Sequence, residues 1–218
     1  SSDWQAHVWG SKTLRQPIED GALIVADVDK LSPLRYFFGV EAPAKHVSAV
    51  MPDTEEQCLS MIQQSVGSGR PTYLARFLPG IGQRYSLASV GPMVRVCSKP
   101  ASQARPVEGV GEPVDWTCAS GLTLLSLEID ESPGGAGNSE TRRLSRGDTI
   151  AFTLYWRADK RLDADVKVRA VVVSKAGRTW HGTKWRSPVQ GMYPTSLWTL
   201  NEVVSDYWEI ELPQDMPP

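Results

Sequence analysis

Asp27 closes the apolar run "ALIVAD", Ala22 to Asp27, and Asp29 follows two residues later. A continuous apolar run of this length reads as a strand buried on both faces. Open α/β sheets place their ligands beyond the carboxyl ends of such strands. Two neighbouring carboxylates there would suit a metal ion or a ribose. A purely local reading stands beside that one: Asp29 caps the following turn and Asp27 ends the strand in a local hydrogen bond. The glycine-rich fingerprint that precedes a ribose-binding acid is missing. The second set of candidates is aromatic. Six of the eight tryptophans lie in the second half of the chain. Trp180, Trp185, Tyr193 and Trp198 are the residues that would stack on the apolar face of a sugar ring if exposed, and pack as core if not. Trp180 and Trp185 are five apart, which puts them on opposite faces of a regular strand unless Gly182 makes a bulge. Arg142, Arg143 and Arg146 form a small basic cluster, either a solvated turn or a contact for an anionic partner.

Other chemistries lack their residues. There is no Gly-x-Ser-x-Gly nucleophile turn and no phosphate-cradling Gly-x-x-x-x-Gly-Lys-Ser/Thr loop. Gly80-Ile81-Gly82 is the nearest glycine pair, with no helix expected after it. His7, His46 and His181 are scattered, without the i, i+4 spacing of a metal pair. No catalytic residue, metal or cofactor is expected in this chain. Cys58, Cys97 and Cys118 match no zinc or redox spacing; Cys97 and Cys118 either bridge a linker or join Cys58 as free thiols. A net charge of −2 over 218 residues excludes a polybasic surface, so no nucleic-acid partner is expected. No apolar run approaches the roughly 18 residues of a membrane span, and no signal peptide is visible. Residue 1 is Ser, which suggests a chain cut from something longer.

The elements that must position these residues follow two grammars. Over residues 1–98 strands and helices alternate, which implies parallel pairing in a small α/β, Rossmann-like domain. "ALIVAD", "HVSAVM" and "PTYLARF" are its strands. Ser32-Pro33 is expected to open a short helix that stops near Gly39. Asp53, with Glu56 three residues on, is expected to cap a helix ending at Gly67. "YSLASV" and "MVRV", split by Gly91-Pro92, read as a hairpin or an extended edge. Residues 99–113, rich in Pro, Gly and polar residues, read as a linker. Residues 114–218 carry strand grammar alone, punctuated by Gly and Pro, and imply a β-sandwich of jelly-roll type. In "TIAFTLYWRA" the residues Ile150, Phe152, Leu154 and Trp156 share one face, expected to be core. "LTLLSLEI", "DVKVRAVVV", "RTWHGTKW", "LWTLNEVV" and "DYWEIEL" supply further strands, and "SPGGAGNSE" a loop.

The order "RGDTIAFTLYW", a polar turn, "DVKVRAVVVSKAGRTW", then "YPTSLW", "NEVVSDYWEIELP" and "DMPP" resembles the C-terminal β-sandwich of bacterial polytopic membrane glycosyltransferases. These are GT-C-type enzymes, related to protein mannosyltransferases and to arabinofuranosyl and aminoarabinose transferases. "GALIVADVDKLSPLRYFFGVE", "GRPTYL" and "YSLASVGPMVRV" resemble the α/β segment that follows the last membrane helix in such proteins. The resemblance covers nearly the whole chain and rests on ordered short patterns, with no catalytic motif to carry over. It implies an extracytoplasmic accessory region, tethered to the membrane domain of the parent chain, that either aids acceptor docking or packs on the extracytoplasmic face of that domain. A glycan or a polyprenyl-linked sugar is then the implied ligand. In that family the sandwich continues past the paired prolines, so a last strand is expected to be missing here.

Two other functions remain open on the residues alone. One is a secreted carbohydrate-binding protein with an α/β partner domain. The other is a soluble enzyme using Asp27 and Asp29.

Overall fold

Sequence patterning accounts for the first sheet directly. In the computed structural model, which describes residues 2–98, 111–130, 145–174 and 177–214, the three apolar runs become β1 (Leu23–Ala26), β2 (Ser48–Val50) and β3 (Thr72–Ala75). Both β1 and β3 are buried at all four positions. β1 lies between β2 and β3 and pairs with each in parallel. Helix α2 (Val28–Tyr36) connects β1 to β2, and α3 (Glu55–Gly67) connects β2 to β3. A four-residue helix, α4 (Ile81–Arg84), then leads into an antiparallel hairpin of β4 (Ser86–Val90) and β5 (Met93–Cys97). β5 pairs with β3, giving the order β2-β1-β3-β5-β4 with β4 at the edge.

Three helix expectations are corrected. α2 starts at Val28, with Asp27 in extended conformation at its N-cap, and Pro33 lies inside it. α3 is capped one residue later than expected: the Gln57 amide N–H donates to the Thr54 hydroxyl, while Gln57 Oε1 accepts from Asp53 N. This is a reciprocal cap in the Thr-x-x-Gln frame. A helix does follow the Gly80-Ile81-Gly82 stretch, but it has one turn. The chain also opens with a helix that patterning missed, α1 (Ser2–Leu14). Its buried residues are Val8, Trp9, Gly10, Lys12 and Thr13. Only Val8 and Trp9 are large and apolar, so the apolar period of a helix is not written in its sequence.

The described residues of the second half form strands and two single helical turns, Val189–Gly191 and Thr195–Leu197. β6 (Glu112–Thr117), β7 (Leu122–Ile129), β8 (Thr149–Ala158) and β11 (Val203–Glu211) form an antiparallel sheet in the order β11-β8-β7-β6. β9 (Val171–Val173) and β10 (Thr179–Gly182) form a separate ribbon. β6 begins inside the stretch read as linker. "LWTLNEVV" is not a strand up to Glu202: a single helical turn, Thr195–Leu197, precedes a turn, and only the final residues enter β11. Residues 165–170 make one isolated bridge, Val168 to Arg186. The loop over Ser132 to Glu140, Arg142, Arg143 and most of the linker lie outside the described residues. Arg146 sits exposed in a turn closed by Ser145 N donating to Asp148. No helix among the described residues is long and apolar enough to cross a membrane.

The two faces of β8 depart from expectation. Thr149, Ala151, Thr153 and Tyr155 are buried, while Ile150, Phe152 and Leu154 are only half covered. The polar face meets α1 and one side of the first sheet, while Trp156, buried as expected on the other face, packs against the opposite side. Ala151 and Tyr207 pack in one cluster with Val8, Trp9, Ile24 and Tyr73. A second cluster joins Leu74, Leu87 and Val94 of the first sheet to Leu122, Trp156, Trp198 and Val204. The second half therefore reaches both faces of the first sheet around the β4 edge. Ser205 N donates to Ser89 Oγ at 3.0 Å, and Ser205 Oγ to Gly91 O at 3.1 Å. An otherwise open sheet edge is thereby occupied.

Across this seam the ammonium of Lys12, 5% exposed, contacts Glu128 at 2.7 Å and Asp130 at 2.9 Å. Tyr155 also donates to Glu128. Burial pushes the Asp130 carboxyl up. It acts on Glu128 too, but the hydrogen bonds from Lys12 and Tyr155 hold that carboxyl below its usual range. Removing one member of a buried ion pair strands the others in low dielectric. Lys12→Met is expected to destabilise the chain by about 3–5 kcal/mol, measured by urea unfolding. Adding Glu128→Gln and Asp130→Asn to that variant should recover part of the loss.

Candidate functional site

The carboxyl edge of the parallel strands is where the chain leaves β1 toward β2 and leaves β3 toward β4, in opposite directions. Ligands of open α/β sheets bind at such a divergence. Here Asp27 and Arg76 span it, with Asp27 Oδ1 3.4 Å from Arg76 Nε. The guanidinium also reaches Pro52 O at 3.3 Å and the buried Cys58 sulfur at 3.4 Å. Burial pushes the Cys58 thiol up. Asp29 faces away from this pair and contacts Lys30 at 2.5 Å. The two aspartates thus have different partners, and no group of three metal-ligating side chains occurs among the described residues.

Asp29 instead belongs to a cleft of about 530 Å³ on the seam between the halves. Trp9, Asp29 and Lys30 line it from the first half, and Arg186, Gln190, Tyr207 and Glu209 from the second. The alternation of β11 supplies two of these. Tyr207 and Glu209 share the face turned to the first half, and Tyr207 donates to Glu209 Oε1 at 2.7 Å. The Lys30 ammonium lies 5.5 Å from the centre of the Trp9 ring. Burial pushes the Glu209 carboxyl up, against the Tyr207 hydrogen bond and the Lys30 charge.

The opposite face of β11 holds the second wall in place. Asp206 is fully buried. It accepts from Arg186 Nη2 at 2.9 Å, from Val189 N at 2.8 Å and from Trp208 Nε1 at 2.6 Å. The Arg186 guanidinium lies 3.6 Å from the Trp208 ring centre, a cation–π contact, and donates to Tyr207 O. These bonds fix a turn over residues 188–191, in which Val189, Gln190 and Gly191 all take positive φ.

The four expected aromatic binders do not meet on one surface. Tyr193 and Trp198 are interior groups whose polar atoms are satisfied. Tyr193 donates to Glu202 at 2.8 Å, Trp198 Nε1 donates to Tyr193 O at 3.1 Å, and their rings lie 6.0 Å apart. Trp180 is half-buried at a register shift in β10. Trp185 follows the strand, is 60% exposed, and carries the Arg169 guanidinium 4.9 Å from its ring centre. The parity argument for this pair fails because β10 ends at Gly182. Trp116 on β6, not singled out from sequence, is exposed as well. All three cysteines are free thiols, so the 97–118 bridge does not form.

Trp9, Lys30, Arg186, Gln190, Tyr207 and Glu209 escaped the sequence reading. The one local signal was alternation in "SDYWEIE", which places Tyr207 and Glu209 together and opposite Asp206 and Trp208. Comparison of the chain with protein-family models, with curated proteins and with solved structures finds no match.

A carboxyl whose folded pKa is raised holds its proton more tightly in the native state than in the unfolded chain. Glu209's contribution to stability therefore falls as pH rises from the ordinary carboxylate value through the raised folded value. Glu209→Gln is expected to remove this slope and to leave stability at pH 7 equal to or above wild type. Urea unfolding at pH 5 and pH 7 checks this; a steeper loss in the variant contradicts it.

Proposed function

We propose that the chain is a non-catalytic, extracytoplasmic accessory region of a membrane-embedded glycosyltransferase, and that its seam cleft docks the carbohydrate-bearing acceptor. The observation that carries this reading is the makeup of the cleft. The paired Asp29 and Lys30 on one wall face Arg186 and Glu209 on the other across a space of small-ligand size. Carboxylates accept from hydroxyls, and ammonium and guanidinium groups donate to them. Lys30 is already answered by Asp29, and Arg186 by the buried Asp206, so no unpaired cation is left to select an anion and the lining suits a neutral, polyhydroxylated ligand. The ordered patterns from "GALIVAD" to "NEVVSDYWEIELP" support the assignment to the glycosyltransferase region. The β2-β1-β3 order is compatible with a Rossmann-like first domain, and the antiparallel sheet with its ribbon is compatible with a jelly-roll-like second one. In this reading the partner is the membrane domain of the parent chain.

A second reading has an observation of its own. Trp116 and Trp185 expose their rings, as a secreted carbohydrate-binding protein would require.

Titrating the ¹⁵N-labelled chain with methyl α-D-mannopyranoside and with mannose 1-phosphate separates the two. The account expects shifts at Asp29, Lys30, Arg186, Gln190 and Glu209, stronger for the neutral glycoside. Glu209→Gln should weaken binding about tenfold, the scale of one lost charge-assisted hydrogen bond. Shifts confined to Trp116 and Trp185 would favour the second reading, and no shifts at all would count against both.

A further inference from the structure

We infer that Gln190 sets which ligand the cleft accepts, and that the strained 188–191 turn serves to present its amide; this rests on the seam cleft being the binding site. Gln190 adopts φ 54° and ψ 25°, within the left-handed region. For a residue with a Cβ this conformation is disfavoured, because the Cβ crowds the following carbonyl oxygen. Its neighbour Val189, also at φ 54°, is a β-branched residue in the same region, where such residues are outliers.

The strain at Val189 has a structural account. Its side chain is buried in the cluster that joins the halves, and its N–H is held by Asp206. The strain at Gln190 has no such account. Its side chain is exposed, enters neither core cluster, and lines the cleft. A glycine would hold the same backbone more cheaply, as Gly191 does at the next position with φ 79°. What Gln190 adds over glycine is one amide, a donor and an acceptor together, opposite Asp29, Lys30 and Glu209. Gln5 and Ser32 bring neutral polar groups to the first-half wall, but on the second-half wall Gln190 stands among Arg186, Glu209 and a Tyr207 hydroxyl that already donates to Glu209. A group that can both donate and accept distinguishes hydroxyl orientations that fixed charges do not.

The test compares two epimers, methyl α-D-mannopyranoside and methyl α-D-glucopyranoside, by calorimetric or NMR titration of wild type, Gln190→Gly and Gln190→Ala. Both variants are expected to bind the preferred epimer about tenfold more weakly, with the ratio of the two affinities moving toward one. Gln190→Gly should at the same time keep or raise the urea midpoint, because strain is released, whereas Gln190→Ala should not raise it. Retention of the wild-type affinities and ratio in Gln190→Gly would overturn the inference. So would a lower urea midpoint in that variant, which would assign the side chain to the fold. If neither epimer binds wild type, the reading of the cleft fails and this inference falls with it. That outcome is seen before any variant is made.

Discussion

One ammonium group, that of Lys12, holds a position that neither half of the chain could justify alone. On an isolated first half it would be an ordinary solvated lysine on α1. In the folded chain it is withdrawn from water and answered by two carboxylates of the second half, one on β7 and one directly after it. Burial of a charge is tolerable only while its partners stay in place. The seam is therefore constrained in register as well as in proximity. Sliding the second sheet along α1 would draw both carboxylates away from the buried Lys12 ammonium. The serine contacts at the β4–β5 hairpin tip fix the other end of the same seam. Between these two anchors the first sheet's β4 edge is covered, and Trp9 and Tyr207 pack in one cluster.

The cleft follows from that registration and from a second buried charge. Asp206 faces the opposite side of the second sheet from Tyr207 and Glu209, and it gathers Arg186, the Val189 amide and the Trp208 indole around one carboxylate. The result is a short turn in an unfavourable backbone conformation, held by bonds that a solvent-exposed loop would not supply. One face of β11 thus supplies cleft-facing groups, and the other the scaffold that brings Arg186 and Gln190 beside them. Strain concentrated where a cavity opens is an arrangement associated with function.

Much of the architecture was legible because it obeys simple periods. "ALIVAD" and "PTYLARF" are apolar without interruption and became strands covered on both faces. Gly91-Pro92 marked the hairpin, and "TIAFTLYWRA" alternated as a long strand. Three of the failures share one physical cause: polar residues buried by partners that local periodicity does not reveal. α1 was invisible because Lys12 and Thr13 occupy its inner stripe. The inner face of β8 was misassigned because Ala151, Thr153 and Tyr155 look like a solvent face until α1 and the first sheet are placed against them. Tyr193 and Trp198 resembled a binding platform because the Glu202 carboxylate that satisfies the tyrosine hydroxyl deep in the core carries no local signature. The cleft draws on Trp9, Lys30, Arg186 and Glu209, and only the fold brings residues so far apart in sequence together.

If the seam is what gives the molecule its site, the halves must unfold together. The most direct measurement is urea unfolding followed by residue-resolved amide NMR, comparing Ile24 and Leu74 in the first sheet with Tyr155 and Val204 in the second. The account predicts a single transition with coincident midpoints at all four residues, the mark of one cooperative unit. Two separated midpoints, one for each sheet, would show that the halves are independent domains and that the cleft between them is not a fixed feature of the fold.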